Sequence, residues 1–290
     1  MRTLAPAKTA LAAASFLLSM TAPSCKGLVF EDRTPCPSWV TVVLRNPVPD
    51  TEATGTVLHL WKDGKVNSCG THTRQEFAEG VTVALQKGEA AFSGLAGALL
   101  DADDPPPSLL TAEKGRMFPP WYAFYVPGKE YGEGDTTVET DQWQMYNNLT
   151  VNVRGAGYEF RVVCHCGVDG FEYPSLALHE GAFDIETDLE EYRWRTARLP
   201  RQSLGQEGEE APFIRVDFEY HAPDEDKWYT IYSIDLGHYL EEGRYDWSAP
   251  IPEDICLEVE LARGAVLNAA ILVAGWRKVL LDSGGGDLLI

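Results

Sequence analysis

Apolar and polar residues alternate cleanly between Ile214 and Tyr220. Ile214, Val216, Phe218 and Tyr220 interleave with Arg215, Asp217 and Glu219. That two-residue period belongs to a strand with one face in a core and one in water. With the loop Ala222 to Lys227, it predicts a hairpin of Phe213–His221 and Trp228–Leu236. Further β-branched or aromatic runs lie at Val40–Leu44, Thr56–Trp61, Val81–Leu85 and Trp121–Val126. Asp63-Gly64, Lys87-Gly88 and Pro127-Gly128 punctuate them as turns. Tyr158 to Val163 reads as another strand, and Ala270 to Leu281 as a last apolar run around Gly275-Trp276. Helical signals are confined to Leu109–Arg116 and Leu236–Glu242. Many short strands separated by turn residues predict an all-β fold built of sandwiches. Gly128 to Glu139 is polar and Gly-rich, and reads as a linker between two domains.

The first residues follow another pattern. Arg2 and Lys8 precede the uncharged stretch Thr9 to Ser24, whose apolar centre runs from Ala10 to Met20. A basic start, a short apolar middle and small residues at the end make a secretory signal peptide. The run is shorter than the ~20 residues of a membrane-spanning helix. Cys25 stands at the cleavage point, where a bacterial lipoprotein has its acceptor thiol. Residues 1–24 are therefore read as a lipoprotein signal peptide and Cys25 as the lipidated residue. Two or three acyl chains give stable membrane attachment. The alternative is ordinary cleavage elsewhere, with Cys25 in a disulfide.

Charge narrows the partners. The chain has 24 Lys and Arg against 44 Asp and Glu, a net charge of −20. Removing residues 1–24 takes Arg2 and Lys8 and leaves 22 basic against 44 acidic residues, or −22. So acidic a surface argues against nucleic acid and anionic membrane as ligands. The acidic groups at Asp101, Asp103, Asp104 and at Asp224, Glu225, Asp226 lack the spacing of a calcium loop and read as solvated loops.

No catalytic arrangement stands out. The chain has no GxSxG, P-loop, HExxH or GxGxxG. Its six histidines (His59, His72, His165, His179, His221 and His238) are scattered. Cys164-His165-Cys166 has metal-ligating residue types. On a strand, however, Cys164 and Cys166 share one face and His165 points to the other. Buried thiols or a disulfide are the expectation there. Asn148-Leu149-Thr150 is a glycosylation sequon within a predicted strand. The chain is read as a non-enzyme without cofactor, metal or catalytic residues.

The stretch Cys25-Lys26-Gly27-Leu28-Val29-Phe30-Glu31-Asp32-Arg33-Thr34-Pro35-Cys36-Pro37 resembles the mature N-terminus of the FimB-like fimbrial anchor lipoproteins of Bacteroidales. Those begin with the lipidated Cys, an apolar pair, an acidic pair and a Cys-Pro. Val83 to Ala90, Tyr146 to Val153, Arg198-Leu199-Pro200 and Ile271 to Trp276 are similar to later stretches of the same family. The resemblance implies two tandem transthyretin-like β-sandwich domains, residues 25–135 and 136–290. It also implies palmitate-type acylation at Cys25, an outer-membrane position at the cell surface, and a role as anchor at the base of a fimbrium. The implied partners are fimbrial shaft subunits, joined by β-strand complementation, and the outer membrane through the N-terminal lipid. The resemblance leaves open the pairing among Cys36, Cys69, Cys164, Cys166 and Cys256, and whether the chain donates or accepts a strand. The alternative reading is a surface lipoprotein that binds glycan or peptide through Trp121, Tyr122, Trp143, Trp228 and Tyr229.

Overall fold

A computed structural model describes residues 37–47, 55–97, 105–154, 160–188, 197–205, 212–222, 224–262, 265–273 and 276–282. In chain order the first elements are β1 (Pro37–Leu44), β2 (Thr56–Lys62), β3 (Lys65–His72), α1 (Arg74–Glu79), β4 (Val81–Gln86), β5 (Gly88–Ala96), β6 (Leu109–Thr111), β7 (Tyr122–Tyr131), β8 (Asp135–Thr140) and β9 (Trp143–Gln144). They are followed by β10 (Tyr146–Arg154), β11 (Phe160–Glu172), β12 (Leu178–Asp188), β13 (Ala197–Pro200), β14 (Ile214–Ala222), β15 (Lys227–Asp235), α2 (Leu236–Glu242), β16 (Ile255–Ala262), β17 (Ala265–Val273) and β18 (Trp276–Asp282). The strands form four sheets, ordered β4-β1-β8, β3-β2-β5-β7-β9, β13-β10-β16-β17-β18 and β12-β11-β14-β15, with β6 also paired to β11.

The sheets pack in two pairs. Alternation along β1 sends Val40, Val42 and Leu44 inward and leaves Trp39 exposed. These residues meet Val81 and Leu85 of β4, Val138 of β8, and Leu58, Leu60, Phe92, Phe124 and Val126 of the facing sheet. Burying side chains of this size stabilises by about 1.5–3 kcal/mol each. The chain passes from one sheet to the other at Lys87-Gly88, where Gly88 has φ +124°, a conformation that disfavours any side chain. In the second pair, Leu149, Val151, Ile255, Leu257, Ala269 and Ile271 face Val162, Cys164, Val216, Phe218 and Ile234.

The sheet β3-β2-β5-β7-β9 is a middle layer. Its second face is covered by the later part of the chain, and Leu95, Ala96, Tyr122 and Ala123 join the later core. This explains why β2 and β5 are continuously buried rather than alternating.

Several expectations need correction. Gly128 to Glu139 is not a linker: it holds the end of β7 and most of β8. β8 pairs in parallel with β1, from Trp39–Asp135 to Leu44–Thr140. Pro127 does not end its strand, because β7 runs through an irregularity in its pairing with β5 between Ala90 and Phe92, where a missing N–H is tolerated. Leu109 to Arg116 is not a helix; Leu109–Thr111 pairs with β11. The apolar run from Ala270 is a hairpin, with β17 internal and β18 at an edge. α2 forms where expected, capped by Asp235, whose side chain accepts from the His238 amide. α1 is an addition, closed by a reciprocal capping box between Thr73 and Glu76.

Candidate functional site

Cys25 and Cys36 lie outside the described residues. The other cysteines, Cys69, Cys164, Cys166 and Cys256, are free thiols. Cys164 and Cys166 point into the core from β11. Burial pushes the Cys164 thiol up to about 12 and that of Cys166 well above its ordinary value, so neither is a ready nucleophile. His165 lies on the opposite face, 2.7 Å from Asp184 and 3.2 Å from Asp217. The three consecutive side chains therefore diverge, as a strand requires. Asn148 of the sequon is in β10 and donates to Asp254 at 2.9 Å.

The surfaces suited to assembly are sheet edges, where a strand offers backbone N–H and C=O groups on one side only. Among the described residues β15 and β18 are such edges, one on each sheet of the second pair. β15 packs beside β17 of the facing sheet, so both edges open on the same side of the sandwich. Along β15 only Ile234 is buried. A register shift in its pairing with β14 lies between Phe218 and Glu219. Beyond that point both hairpin strands are at least partly exposed.

The five nominated aromatics do not form a platform. Tyr122 is 1% exposed and shares a 2.7 Å hydrogen bond with the Tyr146 hydroxyl. Trp121 packs edge-on against Phe118, ring centres 5.5 Å apart. Trp143 lies beneath the Arg201 guanidinium at 5.2 Å. Only Trp228 and Tyr229 belong to the outer hairpin, and as strand neighbours they face opposite ways. Trp228 carries the Arg161 guanidinium 4.6 Å above its ring, and Tyr229 stacks on Tyr220 at 5.8 Å.

Two polar groupings that sequence reasoning missed join the sheet pairs. In the first, Trp61 donates to Ser93 at 2.7 Å, Ser93 donates to the Tyr173 hydroxyl at 2.7 Å, and that hydroxyl lies 2.9 Å from His59 Nδ1. An indole N–H can only donate. Ser93 gives its one hydroxyl proton to Tyr173, and Tyr173 in turn donates to His59 Nδ1 when that ring is neutral with its proton on Nε2. Burial agrees, lowering the His59 pKa to about 4. Tyr173 follows β11, whereas His59 and Ser93 belong to the middle sheet, so this relay crosses the joint.

The second grouping centres on Arg201, which is 0% exposed. It donates to the carbonyls of Ser203 and Ala249 at 2.8 Å each, of Gln144 at 3.4 Å, and of Trp247. A guanidinium has five donors in a fixed fork and suits such a cluster. Arg198, two strand positions before Pro200, donates to the Phe118 carbonyl at 3.0 Å. The sequence stretch around Arg198-Leu199-Pro200 thus fastens β13 to the loops on either side. A hydrophobic reading passes over Arg201, because nothing local marks an arginine as interior.

No family model and no curated protein matches the chain. Solved structures do. The fimbrial anchor protein Mfa2 from Porphyromonas gingivalis matches with a TM-score of 0.54 at 11% identity, over 83% of this chain and 99% of that one. A candidate polysaccharide-binding protein from Bacteroides thetaiotaomicron matches with a TM-score of 0.56 at 11% identity, over 86% and 100%. A candidate adhesin from Bacteroides ovatus matches with a TM-score of 0.54 at 10% identity, over 84% and 95%. At these identities the likeness is one of fold: this chain has the all-β fold of a fimbrial anchor protein and of candidate surface proteins of Bacteroides.

Proposed function

We propose that the protein is an outer-membrane lipoprotein that anchors or assembles a fimbrium at the cell surface. The observation that carries this reading is the fold likeness to a fimbrial anchor protein along 99% of that protein's length. The lipoprotein signal ending at Cys25 supports it from the sequence. In this reading the chain is two tandem transthyretin-like sandwiches, divided not at residue 135 but beyond β8 and β9, which belong to the first sheet pair, and Cys25 carries the lipid.

The topology suits attachment at one end. Pro37, the turn at Lys87-Gly88 and the turn between Tyr131 and Asp135 share one pole of the first sheet pair. The joint with the second pair lies toward the other pole. Pro37 is twelve positions after Cys25, a reach of at most about 40 Å when extended. A lipid there holds the first pair near the membrane and directs the edges β15 and β18 toward the shaft. Fimbrial subunits join this side by β-strand complementation, with backbone hydrogen bonds supplying affinity and side-chain pockets supplying register.

The test is Cys25→Ser in the native host, with fractionation and electron microscopy. The expected result is release of the protein from the outer membrane and filaments shed into the medium. Retention of the variant in the outer membrane, or unchanged filament attachment, overturns the reading.

A further inference from the structure

We infer that the first sheet pair carries a binding slot for a neutral sugar ring, independent of lipid attachment and of fimbrial assembly. On the face of the middle sheet turned toward the later part of the chain, where Trp61 and Tyr125 are only partly covered, Trp61 of β2 pairs directly with Ala91 of β5. Tyr125 of β7 pairs with Ser93, one position further along the same face. Two aromatic side chains thus flank a floor of alanine, on strands whose spacing places them about 10 Å apart. They border a cleft of ≈ 570 Å³ that also reaches Asp63, Lys65 and Glu89. That volume lies within the roughly 300–1,000 Å³ range of small-ligand sites.

Three features separate this cleft from incidental surface. Trp61 is held in place by its bond to Ser93 and by the Tyr173 ring, edge-on with centres 6.1 Å apart. Its orientation is therefore set before any ligand arrives, which limits the ordering cost of binding. Second, Ala91 is small where a larger residue would fill the slot. Third, the pairing irregularity opposite Ala91 brings Gly128 beside Glu89, where a Cβ would come within 3.0 Å of the carboxylate. Gly128 leaves that carboxylate room at the rim.

The chemistry of the lining selects the ligand. β5 is paired on both sides, by β2 and by β7, so a peptide has no free strand edge to extend here. Recognition falls to ring faces and to side chains of both signs. A pyranose offers both what they need: C–H faces for Trp61 and Tyr125, and hydroxyls that donate to Asp63 and Glu89 and accept from Lys65. Nucleotides and other strongly anionic ligands are disfavoured by the net charge of −20.

The test is an array of neutral gluco-, galacto- and manno-configured oligosaccharides probed with the mature chain. Calorimetry on the best binder then compares wild type, Ala91→Leu and Tyr125→Ala. The expected result is binding weakened at least about tenfold in each variant, with unchanged far-ultraviolet circular dichroism. If Ala91→Leu does not fold, Tyr125→Ala alone carries the comparison. The inference is overturned if no oligosaccharide binds at millimolar concentration or if Tyr125→Ala binds as wild type does. Because it needs neither lipid nor filaments, the outcome is separate from that of the anchor test.

Discussion

β5 and β15 are both nine residues long, and their burial runs against their composition. β5 reads Gly-Glu-Ala-Ala-Phe-Ser-Gly-Leu-Ala and has seven buried residues; β15 reads Lys-Trp-Tyr-Thr-Ile-Tyr-Ser-Ile-Asp and has one. The strand with the larger apolar side chains is the one in contact with water. Layer position accounts for the inversion. β5 lies in the middle of three layers, and its small residues leave room for large neighbours: a Cβ on Gly94 would stand 2.1 Å from the ring of Phe124, its partner on the adjacent strand of the same sheet. β15 lies at an edge, where Trp228 and Tyr229 stack on cross-strand neighbours and guard the backbone. Burial here follows from how many layers cover a strand, and hydrophobicity within the strand is secondary.

Substitutions sharpen this contrast. Phe92→Ala in β5 should cost about 3–5 kcal/mol, because Phe92 is fully buried in the first core. Tyr229→Ala in β15 should stay within about 1 kcal/mol. Urea unfolding measures both, and equal losses would break the comparison. Gly94→Ala should cost about 3 kcal/mol, the upper range for forcing atoms into a packed site. A neutral or stabilising Gly94→Ala would mean that the middle layer is not tightly packed.

The joint adds a dependence on pH. Burial holds the folded His59 pKa near 4, below its ordinary 6.5. Between those values the unfolded chain binds a proton that the folded chain does not, so stability falls as pH is lowered from 6.5 toward 4. The contribution is roughly 2 kcal/mol, given the shift and some access of water. His59→Gln keeps an acceptor for Tyr173 without the titrating ring. Its stability should therefore fall less than that of the wild type over this window. Parallel profiles for the two proteins would remove His59 from the account.

Which parts of this were legible follows from how local each signal is. The hairpin around Ile214–Tyr220, β1, β4 and α2 declare themselves through alternation, turns and a cap. β8 does not, because its partner β1 lies almost a hundred residues earlier and parallel pairing leaves no local mark. Its Gly-rich, polar approach read as a linker for that reason. The Thr73–Glu76 capping box was a usable sign of α1. Among the nominated aromatics, Tyr122 proved interior, Trp121 and Trp143 are half-buried against the core, and Trp228 and Tyr229 lie on the outer hairpin. Edge status and the crossings made by Tyr173 and Arg201 depend on contacts far apart in sequence, which a single chain cannot display.

The smallest expected effect concerns how the outer hairpin is held. Arg161 of β11 donates to Glu219 at 2.6 Å and to Glu186 at 2.8 Å while covering Trp228. It thereby ties its own strand β11 to β12, β14 and β15 across one face of the sheet. Lysine keeps the charge but not the planar fork or the stacking. Arg161→Lys should cost about 0.5–1 kcal/mol at low ionic strength. Part of that difference should shrink near 1 M salt, where the Debye length falls to ~3 Å and partly exposed ion pairs are weakened. What persists is stacking on Trp228, and a Trp228→Ala background should remove it. A double-mutant cycle of these two substitutions measures the share directly. Zero coupling would assign the hairpin's order to backbone pairing alone and leave the aromatic edge without a structural task.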